Sequence, residues 1–234
     1  MRKIGLLGGM SWESSALYYR LLNEGVRERL GGLHSAVCVM GSVDFAEIER
    51  LQVAGDWERA GELLADEARD LAAAGAACVV LCTNTMHKVA PAIEQAIDVP
   101  LLHLVDVTAS AIARAGLSRV ALLGTRFTME EPFYRDRMAT HGIEAVVPDH
   151  ADRAVVHDVI YRELIVGVVS EVSRDRFREI IARLAAAGAE GVILGCTEIE
   201  LLVGQEDSPV PVFASTALHA QAAVDFALGD QPVR

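Results

Sequence analysis

Short apolar runs alternate with longer stretches of helical period along the whole chain. This alternation is typical of parallel strands joined by crossover helices, so it predicts an α/β fold with parallel-rich sheets flanked by helices. The predicted strands lie near residues 3–7, 36–41, 78–81, 101–104, 119–123, 144–147, 191–194 and 210–213. The predicted helices lie near residues 14–30, 57–74, 89–96, 105–115, 131–141, 157–169, 174–187 and 216–228. Residues 148–152 are expected to form a polar loop.

Two sequence patterns occur once in each half of the chain. Residues 4–11 resemble residues 120–127, and the sequence LAAAGA occurs at 71–76 and again at 184–189. Each copy of LAAAGA precedes an apolar run that ends in a Cys-Thr pair. Such a repeat indicates a duplicated domain.

The spacing of these patterns sets the predicted domains. Gly8 and Cys82 are 82 − 8 = 74 positions apart, and Gly124 and Cys196 are 196 − 124 = 72 positions apart. Two like-spaced halves predict two pseudo-symmetric domains with the active site in the cleft between them. The C-terminal helix is expected to return and cover the first sheet. The predicted domains are residues 1–104 with 212–234, and residues 105–211.

Composition and charge narrow the class of protein. Hydrophobic residues make up 52% of the 234 positions, but no run approaches the roughly 20 apolar residues of a membrane span. A net charge of −12 argues against a nucleic-acid partner, because binding to the phosphate backbone needs basic residues. The four cysteines lack the paired spacing of a zinc site and are too few for a disulfide framework, so we expect no metal. These features favour a cytoplasmic protein without membrane partners.

Two of the cysteines carry the candidate chemistry. Cys82-Thr83 and Cys196-Thr197 each follow a predicted strand, where parallel sheets commonly bind ligands. A following helix start lowers the pKa of a thiol from about 8.5, so we expect one thiolate and one thiol near neutral pH. Such a pair can remove a proton from one face of a carbon and return one to the other face, which inverts a stereocentre.

A carbon acid beside a carboxylate is far weaker than a thiol, so donors must stabilise the charge that develops on the carboxylate. Side chains that could donate these hydrogen bonds are Ser11, Asn84, Thr85 and Thr125. Backbone N–H groups at the two predicted helix starts could add to them. These groups belong to Thr83, Asn84, Thr85, Thr197 and Glu198.

Other conspicuous residues have simpler interpretations. Thr83 and Thr197 could equally be helix caps, because capping and anion binding use the same groups. Cys38 and Cys78 are interpreted as buried packing residues. Structural roles are also expected for Trp12, His87, His103 and His219.

Three segments together resemble the aspartate/glutamate racemase superfamily, whose enzymes use two cysteines and no pyridoxal phosphate. They are GGMSWES at 8–14, CTNTMH at 82–87 and GCTEI at 195–199. The resemblance implies two pseudo-symmetric α/β domains, an active site between them, a homodimer and no cofactor. It assigns Cys82 and Cys196 as the acid/base pair, with Asn84 and Thr85 on the carboxylate of an amino-acid substrate.

The same resemblance indicates a branch. Glu198 follows the second Cys-Thr pair, as in the aspartate and broad-specificity branches, where glutamate racemases have His. Residues 42–48 and 163–167 lack the Arg and Lys that aspartate racemases use to bind the second carboxylate. Arg50 or Arg162 could substitute for them. The predicted substrate-binding residues are Met10, Ser11, Gln52, Thr83, Asn84, Thr85, Thr125, Tyr161, Ile165, Thr197 and Glu198.

The sequence therefore predicts an amino-acid racemase of broad, non-acidic preference. Aspartate racemase is the nearest alternative, and hydantoin racemases and maleate isomerase-like enzymes use related scaffolds. A non-catalytic bilobal protein that binds small molecules is the alternative of a different class. It would tolerate the loss of either thiol.

Overall fold

The structure, a computed structural model, describes residues 1–229 and contains eight strands within that range. The strands are β1 (Ile4–Gly8), β2 (Cys38–Ser42), β3 (Cys78–Leu81), β4 (Leu101–Leu102), β5 (Arg119–Gly124), β6 (Glu144–Val146), β7 (Val192–Gly195) and β8 (Val212–Ala214). The α-helices are α1 (Trp12–Leu30), α2 (Phe45–Ala54), α3 (Trp57–Ala73), α4 (Ala90–Ala96), α5 (Leu104–Arg114), α6 (Arg126–Glu130), α7 (Pro132–Thr140), α8 (His150–Arg162), α9 (Glu171–Ala186) and α10 (Ser215–Leu228). The short 3-10 helices are Thr85–Val89, Leu164–Val166, Thr197–Leu201 and Gln205–Asp207.

Each half of the chain forms a four-stranded parallel sheet. The strand orders are β2-β1-β3-β4 and β6-β5-β7-β8, so the second sheet repeats the connectivity of the first. Helices pack against both sheets, which confirms the predicted α/β class and the duplication.

The chain divides into two compact units. The first contains Met1–Leu104 and, among the described residues, 219–229, and the second contains Val105–Leu218. The sequence-based boundary lies earlier, at residue 212. Strand β8 pairs with β7, with Val212 opposite Val192, and so the chain remains in the second unit through this strand.

The central strands of the first sheet, β1 and β3, are buried on both faces. Ile4 and Leu6 pack on one face with apolar residues of α1 and α10, including Val224. Leu7 and Val79 pack on the other face with residues of α2 and α3. Each buried side chain of this kind contributes about 1.5–3 kcal/mol to the hydrophobic driving force. The contacts made by α10 confirm that the C-terminal helix returns to cover the first sheet.

The second unit has its own apolar core. Residues of β5 and β7 pack there with α8 and α9, whose buried side chains include Val156 and Phe177. Cys196 belongs to this core, at the point where β7 ends. The second sheet therefore fixes the position of the Cys196 backbone.

Some helices differ from the prediction. The helices α2 and α6 were not expected, and α8 begins at His150 inside the predicted polar loop. Asp149 explains this start, because its side chain accepts a hydrogen bond from the backbone N–H of Asp152 (2.9 Å) and caps the helix. The chain then leaves the helix after Arg162, well before the predicted end at 169.

Within residues 1–229, no helix is both long enough and apolar enough to cross a membrane.

Candidate active site

The loop after β1 folds closely against the start of α1. The backbone N–H of Gly9 donates to Ser15 Oγ (2.8 Å), and Ser11 Oγ accepts from the N–H of Ser14 (3.3 Å) and caps α1. Gly9 has φ +93°, and a Cβ at this position would lie 2.2 Å from the carbonyl oxygen of Val43. Only glycine fits there, so the sequence of this loop fixes the position of Ser11 at the carboxyl end of β1.

Met10 and Trp12, on either side of Ser11, have opposite environments. Met10 lies in the apolar cluster on the α2 and α3 side of the first sheet. Trp12 is 69% exposed, so its interpretation as a packing residue is wrong. The buried residues of α1 begin at Ser14, one turn into the helix.

The segment that carries Cys82 is fixed by the neighbouring strand and helix. The backbone N–H of Cys82 donates to the carbonyl of Leu7 (2.9 Å), which continues the β1–β3 ladder by one residue. The carbonyl of Cys82 accepts a hydrogen bond from Ser14 Oγ (2.9 Å). The N–H of Thr83 donates to the carbonyl of Leu81 in a tight turn (2.8 Å). This N–H is therefore already bonded and does not fit its predicted role as a donor to the substrate carboxylate.

The residues that follow form a short 3-10 helix rather than the start of a long α-helix. Asn84 and Thr85 are buried at its first turn. Gln52, on α2, donates from Nε2 to the sulfur of Met86 (2.9 Å). Gln52 therefore contacts the residue that directly follows the Cys-Thr-Asn-Thr segment, and its role in substrate binding stays a prediction.

In the second unit, Cys196 has a carboxylate as its partner. Cys196 Sγ donates to Glu198 Oε2 (3.0 Å), and both residues are about 8% exposed. The backbone N–H of Glu198 also faces the sulfur, and this contact favours the thiolate. Thr197 Oγ accepts a hydrogen bond from Thr216 Oγ (3.3 Å).

The predicted lowering of the thiol pKa is wrong for both cysteines. Burial raises the pKa of Cys82 above that of a free thiol. Burial also raises the pKa of Cys196, and the negative charge of Glu198 raises it further. The helices after the two cysteines are 3-10 segments of five residues, Thr85–Val89 and Thr197–Leu201, so their dipoles are short and desolvation dominates.

The two thiols are close to equivalent in the repeat but not identical in register. Leu81 pairs with Leu7, so Cys82 comes level with Gly8. In the second sheet Gly195 pairs with Gly124, so Cys196 comes one residue beyond that glycine. The second thiol therefore lies one residue farther along its strand than the first.

The remaining predicted residues of the second unit lie after β5, on α8 and on the 3-10 helix that follows α8. Thr125 caps α6, since its Oγ accepts from the N–H of Thr128 (3.3 Å). Tyr161 and Ile165 are partly buried and pack on the core of this unit. The ring centroid of Tyr161 is 4.5 Å from that of His157.

Sequence reasoning missed two charged residues close to these positions. Arg126 follows Thr125, and its backbone N–H donates to His157 Nδ1 (3.3 Å). Burial and the Arg126 charge lower the pKa of His157. Glu200 accepts a hydrogen bond from the N–H of Thr216 (2.9 Å), and burial raises its pKa to about 7. The sequence signal for Arg126 was its position directly after Thr125, and that for Glu200 was its position directly after the segment 195–199.

The other cysteines fit a packing role. Cys38 and Cys78 lie on either side of Ile4, and burial raises both thiol pKa values, that of Cys78 to about 12. All four cysteines are free thiols. No cluster of three or more His, Cys, Asp or Glu side chains in residues 1–229 is arranged to hold a metal ion.

Known proteins of similar sequence and structure agree with this architecture. A Yersinia pestis protein described as a candidate Asp/Glu racemase is 54% identical, with 97% of this chain and 100% of that chain covered and a TM-score of 0.92. An aspartate racemase homologue from Pyrococcus horikoshii is 32% identical, with the same coverage and a TM-score of 0.87. The broad specificity amino-acid racemase RacX of Bacillus subtilis is 25% identical over 75% of this chain and 76% of its own length.

The homodimer, the cytoplasmic location and the absence of nucleic-acid and membrane partners stay predictions.

The family of this chain is established by the extent of the sequence match. Residues 7–223 match the sequence profile of the Asp/Glu/hydantoin racemases, and the match includes strands of both sheets and both Cys-Thr pairs. The chain belongs to the Asp/Glu/hydantoin racemase family.

Proposed function

We propose that this protein is an amino-acid racemase that works without pyridoxal phosphate and uses Cys82 and Cys196 as an acid/base pair at the α-carbon. One observation carries the proposal. In both units, a buried Cys-Thr pair directly follows the strand that occupies the third place in the sheet order. The carboxyl ends of parallel strands are where α/β proteins bind their ligands.

The proton inventory of the proposal begins with two neutral thiols. Glu198 accepts the proton of Cys196 along the existing Sγ to Oε2 hydrogen bond (3.0 Å). The thiolate then takes the α-proton of one enantiomer, and Cys82 delivers its proton to the opposite face of the carbon. The product is the mirror image. Cys196 now holds the α-proton, Glu198 keeps the proton that it accepted, and Cys82 is left as the thiolate, which is the starting state for the reverse reaction. Before another turnover in the forward direction, Cys82 regains a proton from solvent and Cys196 must again be deprotonated.

Charge that develops on the substrate carboxylate also needs donors. The N–H of Thr83 is bound to Leu81, so the proposal assigns this role to Asn84 and Thr85 in the first unit and Thr197 in the second. All three are buried polar residues. Donors fixed in a buried site stabilise developing charge better than water does, because they need no reorganisation during the reaction.

We infer a preference for non-acidic substrates from the missing cations. Arg162, one of the two suggested substitutes, has a 77% exposed side chain and lies 3.6 Å from Asp158. Arg50 is also exposed. A second substrate carboxylate buried without a cation would be costly. The similarity to RacX, whose name states broad specificity for amino acids, supports the same inference.

Aspartate racemase is the second candidate, and Arg126 is the observation that favours it. This cation directly follows Thr125, and its charge influences His157, one turn before Tyr161 on α8. If it binds a second carboxylate, Arg126→Met should raise the KM for aspartate more than tenfold and leave neutral amino acids unaffected. Unchanged kinetics on all substrates would remove this alternative.

The test is α-proton exchange in D₂O, followed by proton NMR together with optical rotation. Both enantiomers of acidic, neutral and basic amino acids are offered to the wild type and to Cys82→Ser, Cys196→Ser and the control Cys38→Ser. We expect racemisation of several neutral or basic amino acids by the wild type and the control. Each site variant should lose racemisation, although exchange of a single enantiomer can persist on its intact face.

Other outcomes point to other functions. Activity confined to aspartate would establish the second candidate. Racemisation of hydantoins alone would keep the two-thiol chemistry and reject amino acids as substrates. Binding of an amino acid without exchange, unaffected by either Cys-to-Ser change, would identify a binding protein and overturn the proposal.

A further inference from the structure

Three histidines that are far apart in the sequence lie together in the first unit. The ring centroid of His87 is 4.6 Å from that of His103 and 5.9 Å from that of His219. All three are buried, and His219 is fully inaccessible. Since a buried imidazole needs partners for its ring nitrogens, its hydrogen bonds show what it holds in place.

The hydrogen bonds of His87 define its tautomer. The backbone N–H of Leu104 points at Nε2 (3.1 Å), and Nδ1 lies 2.8 Å from the carbonyl oxygen of Thr83. An N–H can only donate and a carbonyl can only accept. Nε2 therefore accepts, Nδ1 carries the proton, and the ring is neutral.

His219 is also neutral, because burial lowers its pKa to about 4. Its Nε2 lies 2.6 Å from the carbonyl of Leu102 and must donate, so Nδ1 of the neutral ring accepts from the hydroxyl of Tyr18 (2.9 Å). This places an uncharged ring beside His87 and anchors the chain where it re-enters the first unit. Leu104, held by His87, is the residue at which the chain leaves that unit.

The contact of His87 with Thr83 bears on the first thiol. Ser14 Oγ holds the carbonyl of Cys82, and His87 Nδ1 holds the next carbonyl, that of Thr83. The peptide between these two carbonyls is therefore held at both ends. Together with the hydrogen bond from the Cys82 N–H to the carbonyl of Leu7 (2.9 Å), the orientation of this peptide constrains the direction of the Cys82 Cα–Cβ bond, which carries the thiol.

We propose that His87 is a positioning residue, which fixes the peptide after Cys82 through the Thr83 carbonyl and so aims the Cys82 thiol. The inference rests on the proposed function, in which that thiol is an acid and a base. Proton transfer needs the donor and acceptor atoms aligned at contact distance. A displacement of about 1 Å can cost on the order of 100-fold in rate.

Two variants separate the contacts made by His87. The amide nitrogen of Asn is two bonds from Cβ, as Nδ1 is, so His87→Asn can still donate to Thr83. The amide of Gln is three bonds from Cβ, as Nε2 is, so His87→Gln can accept from Leu104 but loses the donor to Thr83. His34, which is exposed in the same unit, provides the control His34→Gln.

We expect His87→Gln to lower kcat about 100-fold with a change in KM below about threefold, and His87→Asn to recover at least about tenfold of that loss. A second readout needs no substrate. Alkylation of Cys82 by iodoacetamide, measured by peptide mass spectrometry with Cys38 as internal reference, should rise more than about threefold in His87→Gln as the held peptide loosens.

The results that would overturn the inference are specific. One is a folded His87→Gln with wild-type kcat and a wild-type rate of Cys82 alkylation. Another is equal loss in His87→Asn and His87→Gln, in proportion to their loss of thermal stability. If the wild type racemises nothing, the proposed function fails, and the alkylation rate alone still decides whether His87 positions Cys82.

Discussion

The thiol of Cys196 donates its hydrogen bond to the carboxylate of Glu198, with Sγ 3.0 Å from Oε2. The carboxylate acts on the thiol in two opposing ways. Its charge raises the pKa of Cys196, and it is also the group that can accept the thiol proton. Cys82 has a different environment, since its thiol donates to the carbonyl of Val80 at the longer distance of 3.6 Å. The two thiols are thus chemically unequal despite the repeat.

Replacing Glu198 separates its two effects. Glu198→Gln removes the charge, so the pKa of Cys196 should fall and its alkylation at pH 8 should accelerate. The same change removes the proton acceptor, and we expect kcat for racemisation to fall by about 10²–10⁴-fold, the usual contribution of a general base. The exposed Glu206 supplies the control Glu206→Gln. Unchanged kcat in Glu198→Gln would show that the Cys196 proton leaves by another route.

Glu200 should make the stability of the protein depend on pH. Burial raises its pKa from 4.5 to about 7, so the folded state holds the proton more tightly than the unfolded state does. The stability that protonated Glu200 contributes to the folded state is fully present below pH 4.5 and is lost as the pH rises through about 7. The shift of 7 − 4.5 = 2.5 units corresponds to at most about 3 kcal/mol.

Urea unfolding at pH 5 and pH 8 measures this contribution. The wild type should lose free energy of unfolding from pH 5 to pH 8 as Glu200 ionises. Glu200→Gln cannot ionise at this position, so its loss over the same range should be smaller by up to about 3 kcal/mol. Any constant cost of the weaker hydrogen bond to Thr216 cancels in that difference. The same pH dependence in both proteins would show that Glu200 is not the titrating group.

The fold was largely predictable because its central strands, β1, β3, β5 and β7, are short apolar runs that are almost completely buried. Strand β3 has the predicted bounds, Cys78–Leu81, and all four of its residues are buried. The helix α2 was missed because only three of its ten residues are buried, and one of them is the polar Gln52. Its cap, Asp44, accepts from the N–H of Ala46 and was a usable signal.

The chemistry of the site was less predictable than its location. The motifs identified Cys82 and Cys196, but the pKa of a buried thiol depends on desolvation, which no local pattern of residues reports. His87 and His219 are 219 − 87 = 132 positions apart, so their proximity depends on the return of the C-terminal helix. Sequence spacing alone could not connect them.

Buried His219 predicts a loss of stability in acid. Burial lowers its pKa from 6.5 to about 4, so the folded state binds this proton less well than the unfolded state does. The stability that neutral His219 contributes to the folded state is complete above pH 6.5 and is lost as the pH falls through about 4. The shift of 6.5 − 4 = 2.5 units sets an upper value of about 3 kcal/mol.

Thermal unfolding between pH 7 and pH 4.5 tests this prediction. The wild type should lose stability over this range, and His219→Gln, which stays neutral, should lose less. His34→Gln should follow the wild type because His34 is exposed. A wild-type slope in His219→Gln would place the acid sensitivity elsewhere.

Gly9 allows a test of the loop that carries Ser11. Alanine at this position would place Cβ 2.2 Å from the carbonyl oxygen of Val43, in addition to the strain of φ +93°. Gly55 has a similar φ of +72°, but a Cβ there meets no heavy atom within 4 Å. Gly55→Ala therefore measures the conformational cost alone, which is about 1 kcal/mol.

We expect Gly9→Ala to cost at least about 2 kcal/mol more than Gly55→Ala in urea unfolding, because overlap with the backbone of Val43 cannot relax by a side-chain rotation. The β1–α1 loop should move, and Ser11 and Ser14 should move with it. Since Ser14 holds the carbonyl of Cys82 (2.9 Å), activity should fall in Gly9→Ala and stay at the wild-type level in Gly55→Ala. Equal stability and activity in the two variants would mean that the loop tolerates displacement and that close contact with Val43 does not fix the site.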